Sequence, residues 1–156
     1  MLARLALIRA TIATGAFSDA LVAGLNAGMG VMKRRIFNQS LAADGSSLGP
    51  YFSEQYARDR KRKGRQVGKK DLEFTGTLRR SIEVVAVNNT KAEIRITSAE
   101  TADIARNQEV QVYNLLHGQE ANANTGNKTP IFELNQDETD IVRTTTRELL
   151  AQKFDF

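Results

Sequence analysis

A chain of 156 residues fits one domain and is long enough to bury a core. With 41% hydrophobic and 26% charged residues it reads as globular, and aromatics at 6% with no Trp argue against an aromatic-lined ligand pocket. The absence of cysteine excludes disulfides, thiolate metal sites and a Cys nucleophile. A single histidine, His117, excludes a multi-histidine metal centre and leaves only one base for any Ser-His-Asp triad.

Lys and Arg number 22 against 18 Asp and Glu, a formal net charge of +4. The segment Arg58–Lys70 holds eight basic residues (Arg58, Arg60, Lys61, Arg62, Lys63, Arg65, Lys69, Lys70) and one acid, a local +7, so the remainder is −3. The positive balance therefore comes from one short stretch.

Residues 2–13 place Leu2, Leu5, Ile8 and Ile12 at helical spacing, with an extended strand as the alternative, and Arg9 interrupts the apolar core a secretory signal would need. Gly15 ends that segment. Ser18 or Asp19 is placed to cap a helix over 19–40, in which Leu21, Leu25, Met29, Met32 and Ile36 form one apolar stripe. Gly24 and Gly28 have a GxxxG spacing, but Asp19, Asn26 and the glycines make the span too polar for a membrane helix. Small residues at that spacing suit close packing of a helix on a neighbour. Asp44-Gly45 and Gly49-Pro50 are turn signals, with Tyr51, Phe52 and Tyr56 as anchors after them.

The basic run has one aliphatic residue, Val67, and predicts an exposed loop with a frayed helical start. Thr75-Gly76 reads as a turn anchored by Leu72, Phe74 and Leu78. Alternation over residues 82–87 and 92–97 about Asn88-Asn89 predicts a β-hairpin with one wet face. Residues 99–117 read as helical at their end, 118–130 as a mobile polar loop, and Pro130–Leu134 as a short edge strand. Asn135 is placed to cap a final helix with Asp137 and Glu138 in its first turn and Ile141, Val142, Thr145, Leu149 and Leu150 on its apolar face.

Few residues point to chemistry. His117 reads as a turn anchor, since no G-x-S-x-G elbow surrounds any serine. Asp71 and Glu73 read as charge partners of the adjacent cationic segment. Asp137, Glu138 and Asp140 read as acids favoured at a helix start. No phosphate-cradling G-x-x-x-x-G-K-[ST] run occurs. The basic run offers sequence-independent attraction to a polyanion or to an acidic protein surface, without an aromatic residue for base stacking.

The order of these pieces resembles a known family. Asp44-Gly45, Pro50-Tyr51 and Tyr56 precede a Lys/Arg-rich segment. Then come a T-G-x-L-x-x-S-I box at Thr75, Gly76, Leu78, Ser81 and Ile82, a hairpin, Tyr113 with His117-Gly118, and Pro130 ahead of a closing helix. The chain is in this respect similar to the tailed-phage virion morphogenesis and tail-completion proteins, the neck and head–tail joining family, over most of residues 18–150. Pro130-Ile131-Phe132 stands where that family carries P-x-R-P-F, and residues 1–17 are an extension ahead of the single neck-like domain, 18–156.

The resemblance implies an α+β fold, in which a long N-terminal helix and a C-terminal helix pack on a small antiparallel sheet with long basic and polar loops. It implies a virion protein of the phage neck, assembled in the bacterial host cytoplasm and not an enzyme. The subunit would close into a homo-oligomeric ring, hexamer or dodecamer, with portal or adaptor and tail proteins as partners. It would make non-specific contact with genomic DNA, with no cofactor, metal or membrane. Thr75, Gly76, Leu78, Ser81, Ile82, His117, Gly118 and Pro130 would be structural, and the eight cations of 58–70 would contact partners or DNA. The competing reading is a small nucleic-acid-binding module acting through 58–70.

Overall fold

The computed structural model describes residues 13–51, 53–72, 76–117 and 130–154. The expectations for residues 1–12, Phe52, Glu73, Phe74, Thr75 and the 118–129 loop with Gly118 lie outside the described residues. The elements are α1 (Ala16–Arg34), a π-helical turn (Arg35–Gln39), α2 (Glu54–Arg62), α3 (Thr77–Ser81), β1 (Ile82–Asn88), β2 (Lys91–Ile96), α4 (Ala99–His117) and α5 (Gln136–Phe154). β1 and β2 pair as the hairpin the alternation predicts, and with the helices the fold is α+β, the class the resemblance implies.

The chain divides into two compact units, one of Met1–Val31, Glu83–Arg95 and Gln136–Phe156, the other of Met32–Ile82 and Ile96–Asn135. In the first unit the N-terminal part of α1 and the helix α5 pack with the hairpin. α1 starts two residues before the expected cap. The Gly15 carbonyl accepts from the Asp19 amide at 3.0 Å, so Ser18 lies buried within the first turn instead of capping it. The predicted stripe is also rotated. Ala20, Gly24, Gly28, Met32 and Ile36 are buried, while Leu21, Leu25 and Met29 are half-buried.

The reason for that rotation is the close approach of α5. A Cβ on Gly24 would lie 2.2 Å from Thr146 Oγ1 and 2.7 Å from the Val142 carbonyl oxygen; on Gly28 it would lie 2.5 Å from Val142 Cγ2. The GxxxG spacing thus serves a helix–helix contact between backbones, which larger side chains would hold apart. No helix among the described residues is long and apolar enough to cross a membrane.

The hairpin turns at Asn89-Thr90, one residue later than expected. Asn88 Oδ1 accepts from the Thr90 amide at 2.9 Å and from its hydroxyl at 3.0 Å, so Asn88 braces the turn from the end of β1. On β2, Lys91 and Arg95 are exposed while Ala92, Glu93, Ile94 and Ile96 are half-buried, so the expected wet face is only partly realised; β1 does not alternate, with Val84 and Val85 half-buried and Ala86 and Val87 exposed.

The second unit is built around the end of α1. Met32, Ile36, Phe37, Ala42, Leu48, Leu78, Ile82, Ala105 and Ile131 are its buried apolar residues. The Asp44-Gly45 turn forms as predicted, with Gly45 at φ +83°, a conformation few other residues adopt. Asp44 Oδ1 accepts from the Ser46 hydroxyl at 2.6 Å and from its amide at 2.9 Å, and these bonds hold the Asp44 carboxyl below the usual carboxylate range.

Two elements depart from the sequence reading. Residues 99–117 are helical throughout, not only at their end. Pro130–Leu134 forms no strand and instead bends through Ile131–Glu133. Its backbone groups are already taken by side chains from elsewhere. The buried Arg35 guanidinium donates to the carbonyls of Leu41 (3.1 Å), Ile131 (3.2 Å) and Glu133 (2.7 Å). The buried Glu109 carboxylate accepts from the amides of Ile131 (3.1 Å) and Phe132 (3.4 Å). With the carbonyls of Pro130, Ile131 and Glu133 and the amides of Ile131 and Phe132 already bonded, most of what a sheet ladder would use over 130–133 is taken.

Candidate functional site

The basic segment is helical at its start and exposed over residues 61–69, as its composition suggests, but not every cation in it faces solvent. Its first half is α2, capped by Ser53, whose Oγ accepts from the Tyr56 amide at 3.2 Å. Two of its eight cations, Arg60 and Lys70, are buried and cannot serve as contacts for DNA or a partner.

Arg60 is fully enclosed. Its guanidinium pairs with both oxygens of Asp71, at 2.9 and 2.7 Å, and its Nε donates to the Gln66 carbonyl at 3.0 Å. The Tyr51 ring lies against it, 4.5 Å from centroid to Cζ, and Tyr56 flanks it at 6.0 Å. Tyr51 and Tyr56 themselves touch with ring centroids 5.1 Å apart. The Tyr51 hydroxyl donates to Asp71 Oδ1 at 2.6 Å, and burial followed by the Asp71 carboxylate pushes this phenol well above its ordinary range. A forked, planar cation between aromatic rings and a carboxylate makes bonds that a lysine would not reproduce. Asp71 is thus a charge partner of the cationic segment, as read from sequence, though its partner is the one arginine withdrawn from solvent.

The rest of the segment wraps around Arg60. Gln66 Nε2 donates to Asp71 Oδ2 at 2.8 Å, and Gln66 Oε1 accepts from the Lys69 amide at 3.1 Å. The Arg65 amide donates to the Arg60 carbonyl at 2.9 Å. Arg58, Lys61, Arg62, Lys63, Arg65 and Lys69 are exposed. Arg58 and Arg62 pair loosely with Glu54 (3.9 Å) and Asp59 (3.6 Å), contacts worth little in water.

Lys70 is held by its backbone, whose amide donates to the Gly49 carbonyl at 2.8 Å and whose carbonyl accepts from the Ser40 hydroxyl. Burial pushes its ammonium down from 10.5 to about 8. In the unfolded chain the proton stays on to about pH 10.4. Between these values the unfolded state binds more protons, so stability rises with pH. The urea midpoint is expected to climb from pH 7.5 to 9.5, by roughly 1–2 kcal/mol in free energy. Above pH 10 the Tyr51 phenol, ionised only in the unfolded chain, opposes this. Lys70→Met is expected to be more stable at pH 7 and to lose the climb. A wild-type midpoint that is flat or falling over that range would contradict the buried ammonium.

The family-like box is built into the same unit. Gly76 sits at φ +73° as the N-cap of α3, where a side chain would be strained, and Leu78, Ser81 and Ile82 are buried behind it. Ser81 Oγ donates to the Leu78 carbonyl at 2.9 Å. Lys33 Nζ donates to the Ile82 carbonyl at 2.7 Å, and Arg79 stacks 5.7 Å from the Phe37 ring centroid, so the box is tied to the end of α1. His117 is the last residue of α4, and Pro130 is half-buried, its carbonyl accepting from the Ala43 amide at 2.8 Å. Among the described residues no group of three or more His, Cys, Asp or Glu side chains is placed to hold a metal ion.

Sequence reasoning missed Arg35, Glu109, Gln66 and the separate fate of Arg60. The signals available were the tyrosines at 51 and 56 and the acid at Asp71, which together could enclose one arginine of the run. No protein-family model, curated protein or solved structure matches the chain.

Proposed function

We propose that the chain is a structural subunit of the tailed-phage neck, closing with copies of itself into a ring that joins the portal-capped head to the tail. The observation that carries this reading is the order of short motifs along residues 18–150, with the T-G-x-L-x-x-S-I box at its centre. The structure supports treating that box as architecture: Gly76 starts α3 in a left-handed conformation, and Leu78, Ser81 and Ile82 are buried. Residues of this kind hold a fold and do not perform chemistry. A ring requires a head-to-tail contact between two different faces of each subunit, repeated by rotation until it closes.

The test is the mass and place of the protein. Native mass spectrometry of the purified chain, alone and mixed with portal and tail proteins, is expected to show a hexamer or dodecamer. Gold-labelled antibody is expected to mark the neck of intact particles. A chain that stays monomeric in those mixtures and is missing from purified virions does not have this function.

A further inference from the structure

Between Lys61 and Lys69 the chain carries five cations and no acid, and all five, Lys61, Arg62, Lys63, Arg65 and Lys69, are exposed. A run of this kind in a flexible tether would lose much entropy on binding. Here hydrogen bonds tie its backbone down. The Arg60–Asp71 pair closes the base of the lobe, Gln66 bridges Asp71 to the Lys69 amide, and the Arg65 amide returns to the Arg60 carbonyl. One cation is buried to hold the others in place.

We propose that this lobe is a preorganised contact for the phosphate backbone of double-stranded nucleic acid, indifferent to base sequence. Preorganisation lowers the ordering cost of binding. Neutralising phosphates releases counterions and gives affinity without sequence readout. The composition separates this partner from the others. A protein interface needs an apolar or aromatic centre with charges around it, and the lobe offers Val67 alone. Single strands are gripped by stacking on aromatic rings, and the lobe has none; the Tyr51 and Tyr56 rings are engaged with Arg60. A membrane surface would reward apolar side chains beside the cations. The proposal stands on the geometry of the lobe and does not depend on ring formation.

The experiment is fluorescence anisotropy of the full chain with 24-base-pair duplexes of unrelated sequence. Binding is expected at 50 mM NaCl with equal affinity for each duplex, and log K is expected to fall with log salt by about 0.9 per phosphate neutralised, a slope near −4. The quadruple variant K61Q/R62Q/K63Q/R65Q changes exposed side chains only. It is expected to keep the wild-type melting temperature and to bind at least tenfold more weakly. Gln66→Ala alters no charge but loosens the lobe, and is expected to bind at least threefold more weakly.

Wild-type binding by the quadruple variant would overturn the site. Wild-type binding by Gln66→Ala would overturn the preorganisation. Tighter capture by poly-L-glutamate or by phosphatidylserine vesicles than by duplex would overturn the partner. Failure of the neck reading would show instead as a monomeric mass, with duplex binding intact.

Discussion

Replacing Arg60 by alanine is expected to destabilise the protein by about 3–5 kcal/mol, because the Asp71 carboxylate loses its buried cationic partner. For a chain of this length that is a fall of roughly 10 °C in melting temperature. The magnitude follows from burial: the Arg60 side chain is 0% exposed and Asp71 is 13% exposed. The same truncation at Arg62, which is 80% exposed, is expected to change stability by less than about 0.5 kcal/mol. Two adjacent-looking cations thus differ severalfold in cost.

Two further variants isolate the cause. Arg60→Lys keeps the charge but loses the fork and the Nε bond to the Gln66 carbonyl, so it is expected to recover only part of the loss. Arg60→Met combined with Asp71→Asn removes both charges, and is expected to cost less than the sum of the single changes. Urea denaturation of the wild type, of these variants and of the single changes Arg60→Met and Asp71→Asn measures this. An Arg60→Ala loss no larger than that of Arg62→Ala would show that the pair contributes nothing beyond a surface contact.

The second large effect lies in the other unit. Gly24→Ala places a methyl group 2.2 Å from Thr146 Oγ1 and 2.7 Å from the Val142 carbonyl oxygen. The threonine can rotate away, but a helix carbonyl cannot, so α1 and α5 must separate. Alanine gains about 1 kcal/mol of helix propensity over glycine. Overpacking costs about 1–3 kcal/mol, and here it acts on backbone, so the net expectation is a loss of 1–2 kcal/mol. Gly30 in the same helix is the control, since an added Cβ there meets nothing within 4 Å. Gly30→Ala is expected to stabilise by up to about 1 kcal/mol. Thermal melts of the two variants should therefore move in opposite directions. A shift in the same direction would mean that helix propensity governs both sites and that the close crossing does not.

The parts of the fold legible in the sequence are those specified by neighbours a few residues apart. The helical spacing of Leu21 through Ile36, the alternation around Asn88 and the acids at 137 and 138 each act within one element, and each element formed. The Gly24/Gly28 spacing announced a close helix contact, but that α5, more than a hundred residues away, makes it, and so turns Leu21, Leu25 and Met29 partly outward, was not legible. Pro130–Leu134 failed as a strand for the same reason: a short apolar run reads as extended unless Arg35 and Glu109 are known to occupy its backbone. The basic segment is the clearest case. Eight cations within thirteen residues look alike in one dimension, and only contacts brought round in space, the tyrosines and Asp71 at Arg60 and the Gly49 and Ser40 bonds at Lys70, set those two apart from the exposed ones. The Asp71 pairing itself was anticipated, from charge alone.

The grip on Ile131–Glu133 has a consequence for how this region tolerates change. Arg35 and Glu109 hold main-chain carbonyls and amides, which every residue except proline presents alike. The clamp is blind to what projects from positions 132 and 133, so those two places are open to drift. Arg35 and Glu109, charged residues on two helical segments, are the positions at which any exchange would break the clamp.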